Sequence, residues 1–326
     1  MEYVRLGATG TQVSRLCLGC MTYGDPARGR HEWTLPEDES RPILKKALDL
    51  GINFFDTANV YSDGSSEEIV GRALKDFVAR DDIVLATKVH GRMREGPNGA
   101  GLSRKAIMAE IDNSLRRLGT DYVDLYQIHR FDPQTPIEET LEALHDVVKA
   151  GKARHIGASS MYAWQFATMI FTARANGWSE FVTMQDHLNL LNREELREMA
   201  PFCVDQGIGL LPWSPLARGR LAKTSDERTH RQETDPLHES LYAKTADSDR
   251  AVIDAVGNIA EKRGVPRAQV ALAWLLQVPG VTAPIVGASK EKHLDDAVGA
   301  LSLQLEPAEI ESLEEAYVPH PIVGFS

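Results

Sequence analysis

Short apolar runs alternate with longer amphipathic stretches along most of the chain. The apolar runs are residues 16–20, 52–55, 83–87, 122–128, 154–158, 181–185, 208–213 and 281–286. Most are apolar nearly throughout, the pattern of strands covered on both faces in a parallel sheet. Between them, residues 37–50, 65–80, 103–118, 136–150, 161–176, 193–206, 249–263 and 290–301 show helical spacing. Ser103 stands where a helix should start, and Pro136 opens another with Glu138 and Glu139 in its first turn. Gly51, Gly119, Gly151, Gly177, Gly207 and Gly264 stand where helices end, as left-handed C-terminal residues do.

Strand–helix units repeated about eight times, with no break in composition, predict one closed (β/α)8 barrel, an α/β TIM-barrel fold. It is expected to form a single domain over residues 1–326. The alternative, an open doubly wound sheet, would want G-x-G-x-x-G after its first strand; that signature and a P-loop are both missing. Three segments exceed the minimal barrel. Residues 2–17, with Gly7-Ala8-Thr9-Gly10 between two apolar runs, predict an N-terminal β-hairpin plugging the barrel bottom. Residues 218–248, after the seventh strand, form a long polar stretch, the kind of loop that acts as a lid or is disordered. Residues 307–317 predict an extra C-terminal helix before the tail Pro319-His320-Pro321-Ile322-Val323-Gly324-Phe325-Ser326.

Charge narrows the partners. The net charge is -11, so the surface repels phosphate backbones and nucleic acid is excluded as an expected partner. The N-terminus lacks the basic and apolar regions of a signal peptide, and no run of about 20 apolar residues exists to span a bilayer. A cytoplasmic protein without membrane contact is expected. Of the three cysteines, Cys17 and Cys20 form C-x-x-C. A zinc site would need two further ligands, and a redox pair should open a helix. This pair lies on a strand, where residues three apart face opposite sides. Buried strand cysteines are therefore expected, with no metal.

Barrels of this type place their chemistry at the C-terminal ends of the strands. The second run ends in Asp56, with Tyr61 in the loop beyond it; the third ends in Lys88 and the fourth in His129. A free tyrosine holds its proton to a pKa of about 10. A neighbouring lysine cation stabilises the phenolate, a carboxylate keeps the lysine charged and fixed, and a histidine can orient a carbonyl oxygen. Together they suit proton donation to an oxygen that turns negative as hydride reaches its carbon. Each residue taken alone has a plainer role open to it. Asp56 can cap the following segment, Lys88 can be solvated, and His129 and Tyr61 can pack.

These residues carry a resemblance. Phe55-Asp56-Thr57-Ala58-Asn59-Val60-Tyr61-Ser62-Asp63-Gly64 resembles the Asp-x-Ala-x-x-Tyr-x-x-Gly signature of aldo-keto reductases. Ala86-Thr87-Lys88 and Gln127-Ile128-His129 resemble the lysine and histidine motifs of that family. The stretch from Trp213 to Leu221 resembles the bacterial YajO-type members and the potassium-channel β subunits. The segment Leu18-Gly19-Cys20-Met21-Thr22-Tyr23-Gly24 and the C-terminal tail look closest to the YajO type. The resemblance implies NADPH (or NADP+) bound in extended form without a Rossmann fold. It implies reversible reduction of an aldehyde or ketone, with Asp56, Tyr61, Lys88 and His129 as a tetrad and Tyr61 as general acid.

By the same resemblance, Ser159 and Gln185 would hold the nicotinamide carboxamide, and Trp213 would stack on the ring. Ser214, Leu216, Gly219 and Leu221 would line the pyrophosphate. Gly287, Ser289, Lys290 and His293 would face the adenosine and its 2'-phosphate, and Cys20 and Met21 would complete the cofactor site. Tyr23, Trp33, Arg130 and Phe131, with Trp164, the 218–248 loop and the tail, are the candidates for the substrate mouth. Aromatic side chains there would favour a moderately apolar carbonyl compound, although they serve equally well as packing residues.

Two departures from the family pattern stand out: Ser160 where Asn is common, and His293 and Asp296-Ala297 where Gln and Glu-Asn are usual. Two alternative functions remain. One is a cofactor-sensing binding subunit with little turnover; the other is a sugar-phosphate enzyme on the same barrel, with Arg130 or Arg218 on the phosphate.

Overall fold

The computed structural model describes residues 1–29, 31–224, 241–242 and 245–322. The chain opens with the expected hairpin. Strand β1 (Tyr3–Arg5) runs antiparallel to β2 (Gln12–Ser14), with Tyr3 opposite Ser14. Its turn brings Gly7 so close to the barrel that a Cβ there would lie 2.4 Å from the Val182 carbonyl oxygen. Leu6 and Val13 from this hairpin are fully buried in one cluster with Cys17, Phe54, Val84 and Ala283. Three of those sit at the starts of barrel strands, so the hairpin closes the barrel at its N-terminal end.

Eight parallel strands follow: β3 (Cys17–Gly19), β4 (Phe54–Asp56), β5 (Val84–Val89), β6 (Val123–Ile128), β7 (Ala153–Ser159), β8 (Phe181–Gln185), β9 (Gly209–Leu210) and β10 (Ile285–Gly287). From β3 to β9 each pairs with the next in sequence, and β10 returns to pair with β3. Backbone bonds join the two remaining edges: Leu210 N donates to Gly280 O (3.0 Å), Thr282 N to Leu210 O (2.9 Å) and Ile285 N to Pro212 O (2.8 Å). The sheet is thereby a (β/α)8 barrel.

Helices cover its outside: α1 (Glu37–Asp49), α2 (Ser65–Phe77), α3 (Arg104–Leu118), α4 (Ile137–Lys149), α5 (Ala163–Asn176), α6 (Met199–Gln206), α7 (Ala246–Arg263), α8 (Arg267–Gln277), α9 (Glu291–Gly299) and α10 (Pro307–Glu314). Their apolar stripes face the sheet, as Leu141, Leu144 and Val147 do on α4. Ser103 caps α3 by accepting from Ala106 N at 3.3 Å.

Two helical expectations change. The region 193–206 is a short turn at Glu194–Leu196 followed by α6, which carries Pro201 in its first turn, where a missing N–H costs little. Helix α8 was not expected at all. Its stretch Val270–Ala271–Leu272–Ala273–Trp274–Leu275 is buried throughout, so it offers no polar face and no readable helical period. Of the long loop 218–248, only 218–224, 241–242 and 245–248 are among the described residues; the last four tail residues, 323–326, lie outside them.

Strand alternation positions the site. Cys17, Phe54, Ala86, Leu125, Leu211 and Ile285 all belong to the cluster inside the barrel. Two residues later on each strand, on the same face, stand Gly19, Asp56, Lys88, Gln127, Trp213 and Gly287. An apolar layer thus underlies a polar one at the C-terminal rim.

Candidate active site

Asp56 ends β4, and the chain beyond it continues along β5, with Thr57 N bonded to Ala86 O (2.9 Å) and Asn59 N to Lys88 O (3.2 Å). It then turns sharply through Ser62 (φ 44) and Asp63 (φ 48). That course hangs Tyr61 over the end of β5, where Lys88 sits fully buried. The Lys88 ammonium has three donors, and all three are used. One goes to Asp56 Oδ1, one to Thr57 O at 2.9 Å and one to Tyr61 Oη at 3.2 Å. The other carboxylate oxygen, Asp56 Oδ2, accepts from Gln127 Nε2 (2.8 Å) and Gln185 Nε2 (3.0 Å). Burial opposes the charge on Lys88, but Asp56 and then Tyr61 outweigh it and hold its pKa above the ordinary lysine value.

His129 follows β6 and is anchored by its N–H on Val89 O (2.8 Å). Its ring meets the Tyr61 ring edge-on, with centroids 5.7 Å apart at 82°. Burial first, then the charges of Arg130 and Lys88, push its pKa well below the ordinary histidine range. The imidazole is therefore neutral at physiological pH and can hydrogen-bond an oxygen without adding charge.

Trp213 lies on the same rim. Its indole stacks on His187, centroids 4.1 Å apart and planes 10° apart, and donates through Nε1 to Ser160 Oγ at 3.0 Å. One face of the indole is thus covered, while the residue lines a cleft of about 1900 Å³. The same cleft is lined by Asp56, Tyr61, His129, Arg130 and Trp33. Further along, Met21, Ser159, Gln185, Ser214, Leu216 and Gly219 contribute, as do Gly287, Ser289, Lys290 and His293.

A model of the Aldo/keto reductase family matches residues 15–318. The chain belongs to that family. Versiconal hemiacetal acetate reductase of Aspergillus parasiticus is 47% identical, covering 99% of this chain and 98% of that protein. The aldo-keto reductase dtxS3 of Metarhizium robertsii is 42% identical, covering 100% of this chain and 94% of its own length. A protein named as an aryl-alcohol dehydrogenase of Schizosaccharomyces pombe is also 42% identical, with 99% and 97% covered. These relatives are fungal reductases and alcohol dehydrogenases. They do not single out the bacterial YajO branch, which the sequence motifs had favoured. Family membership makes the chain an oxidoreductase of the carbonyl-reducing kind, of a family that generally uses NAD(P)H.

Within this aldo-keto reductase, several residues expected at the site are placed elsewhere. Cys20 and Leu221 have no exposed surface and pack in the core; the Cys20 thiol points back at Leu18 O, because the chain leaves β3 through a tight turn at Cys20–Thr22. Tyr23 is likewise fully buried. Phe131 packs against the core, and Trp164 is 64% exposed on the outer helix α5. None of these five lines the cleft. Cys17 and Cys20 are free thiols that fall in different clusters, Cys17 inside the barrel and Cys20 outside it. Among the described residues no group of side chains could hold a metal, and no helix is long and apolar enough to cross a membrane.

The sequence reading also missed participants. Gln127 helps hold Asp56, and its signal was available, since it precedes His129 by two residues on the inward face of β6. The loop residues Arg92, Met93 and Arg94 line the cleft without any motif to announce them. Ser160 departs from the common Asn yet has a partner of its own in Trp213.

Proposed function

We propose that this aldo-keto reductase reduces aldehyde or ketone substrates to alcohols, reversibly, with NADPH, and that Tyr61 gives the proton. The observation that carries this is the Tyr61 hydroxyl, 3.2 Å from a lysine ammonium that is itself buried and paired with Asp56, at the edge of a large cleft. A cation so placed favours the negative charge that Tyr61 acquires when it releases its proton. Asp56 keeps the cation in position, and the Gln127 and Gln185 amides keep Asp56 in position. The neutral His129 imidazole, beside Tyr61, can orient the substrate oxygen.

The cleft residues suit a nicotinamide dinucleotide. The Gln185 amide nitrogen is spent on Asp56 and Gln127, which leaves its carbonyl oxygen as an acceptor for a carboxamide. Trp213 offers an indole backed by His187. Lys290 stands at the start of α9 with no ion pair among the described residues, whereas Lys292 is bound to Asp296 at 2.8 Å. A free ammonium beside helix N–H groups favours the extra phosphate of NADPH. When bound, that cofactor supplies the hydride.

The relatives' names support the reversible chemistry, since a reductase and an alcohol dehydrogenase run the same exchange in opposite directions. The test is NADPH oxidation followed by absorbance across aldehydes, ketones, quinones and sugar phosphates. Turnover of at least one carbonyl class is expected. No turnover of any, with tight NADPH binding intact, would instead favour a cofactor-sensing binding subunit.

A further inference from the structure

The C-terminal tail runs over the surface, yet of residues 318–322 His320 alone is buried. Its side chain meets the buried carboxylate of Asp249, with Nε2 3.0 Å from Oδ1. Asp249 lies in the first turn of α7. Its other oxygen, Oδ2, accepts from Thr245 Oγ1 at 3.0 Å and pairs with Arg220 Nη1 at 3.6 Å. Arg220 also donates from Nη1 to Tyr242 O at 3.2 Å. The Tyr242 hydroxyl in turn lies 2.8 Å from Nε2 of His187, the ring that backs Trp213. The tail is itself held. Glu194 Oε1 accepts from the His320 N–H (2.9 Å) and from the Tyr317 hydroxyl (2.6 Å), and the Tyr317 ring stacks on His320 with centroids 5.5 Å apart. One histidine thus ties together three parts of the chain that are distant in sequence: the turn after β8, the segment after β9 and the start of α7.

The segment that carries Arg220 needs holding. Ser214 (φ 51), Ala217 (φ 47) and Arg218 (φ 54) all have left-handed backbones, which such residues keep only where their surroundings impose them. Ser214, Leu216, Arg218 and Gly219 of this segment line the cleft; Arg220, Asp249 and His320 do not. These three therefore act on the segment rather than on a ligand. A carboxylate as buried as Asp249 is costly without donors, so the His320 contact stabilises the seated tail and the Asp249–Arg220 pair together.

We propose that His320 and Asp249 are positioning residues for the cofactor: through Arg220 they hold residues 214–221 in the shape that grips the pyrophosphate, and the seated tail thereby slows cofactor release. This rests on the dinucleotide reading of the cleft given above. It gives the tail a part on the cofactor side rather than at the substrate mouth expected for it, and none of residues 319–322 lines the cleft.

Three variants test the inference. His320→Phe keeps a ring on Tyr317 and removes the donor, His320→Gln keeps a donor, and Arg220→Met breaks the chain at its other end. NADPH dissociation, followed by stopped-flow fluorescence, should speed up by about 5- to 20-fold in His320→Phe and in Arg220→Met, part of the worth of a charge-assisted hydrogen bond. Glutamine should recover most of that change. The double variant should lose little more than either single one, since both act through Asp249. KM for the carbonyl substrate should stay near wild type, which a general loosening of the barrel would not allow. Losses that add in the double variant overturn the inference, as does a dissociation rate unchanged in His320→Phe.

Hydrogen exchange of the cofactor-free protein needs no ligand. Amides of residues 216–222 should exchange faster in His320→Phe while those of β6 stay protected. Faster exchange throughout the barrel would make His320 a stability residue only and overturn the inference. If wild type binds no NADPH although residues 216–222 loosen as expected, the dinucleotide reading falls, and the role in cofactor binding falls with it. If wild type and His320→Phe bind NADPH alike, the positioning role falls and the dinucleotide reading stands.

Discussion

The Lys88 ammonium donates to the Tyr61 hydroxyl at 3.2 Å and to Asp56 at the same time, inside a barrel where it has no exposed surface. The same lysine therefore serves stability and chemistry. Lys88→Met leaves Asp56 buried with two amide donors and no cation. Breaking a buried pair in this way costs about 3–5 kcal/mol. Denaturant unfolding should show that loss, and kcat should fall by about 100-fold or more, because the proton donor loses its stabilising charge. Asp56→Asn should cost a similar amount of stability, since it leaves the buried Lys88 ammonium without its counter-charge.

Ser160 holds the indole of Trp213 from a left-handed backbone position, φ 43. Ser160→Ala keeps the backbone and removes the acceptor. The lost hydrogen bond is worth about 1 kcal/mol. Cofactor affinity should weaken by about fivefold in fluorescence titration, with kcat on a good substrate changed less than KM for the cofactor. Unchanged affinity would mean that the His187 stack alone orients the indole.

Asp186 follows β8, is 1% exposed, and neither carboxylate oxygen has a hydrogen-bond partner among the described residues. Burial raises its pKa to about 7. Glu195 is raised to about 9, by burial and then by Asp186. The folded chain thus keeps protons that the unfolded chain, with ordinary carboxylates near pH 4, releases. The associated stability is complete in acid and is lost as pH rises through about 7 and then about 9. His187, depressed to about 3 by burial, works in the opposite direction and only on the acid side of its ordinary value. Asp186→Asn should therefore flatten the decline in melting temperature between about pH 4 and about pH 7 and stabilise the protein above that window by on the order of 1–3 kcal/mol. A parallel decline in both proteins would exclude Asp186 as its source.

Lys290 tests cofactor choice. Lys290→Ala should weaken NADPH by about 3- to 10-fold in isothermal titration, the worth of one exposed phosphate contact, and leave NADH nearly unchanged. Equal losses for both cofactors would assign Lys290 a structural role, and tighter NADH binding in wild type would overturn the NADPH preference.

Much of this was legible in the chain. The barrel could be read because strands such as 84–89 are apolar on both faces and because all six glycines expected to end helices adopt positive φ, from Gly51 at 82° to Gly264 at 65°. The clustering of Asp56, Tyr61, Lys88 and His129 followed from strand ends, since neighbouring parallel strands in register must bring their C-terminal residues together. What escaped was whatever lacked a period or a motif. Helix α8 is buried all round, Gln127 acts through Asp56, and Arg92 and Met93 reach the cleft from an irregular loop. Cys20 and Tyr23 mark the converse limit. They adjoin Met21, which lines the cleft, but the turn at Cys20–Thr22 buries their side chains in the core.

Tyr61→Phe removes one oxygen atom and keeps the ring that meets His129. The most direct measurement is kcat of this variant on the best carbonyl substrate, paired with its NADPH dissociation constant. Turnover is expected to fall by about 1,000-fold or more while NADPH affinity stays within about threefold of wild type. A variant that reduces carbonyls at the wild-type rate would show that the proton comes from elsewhere and that the arrangement of Tyr61, Lys88 and Asp56 is not the proton source.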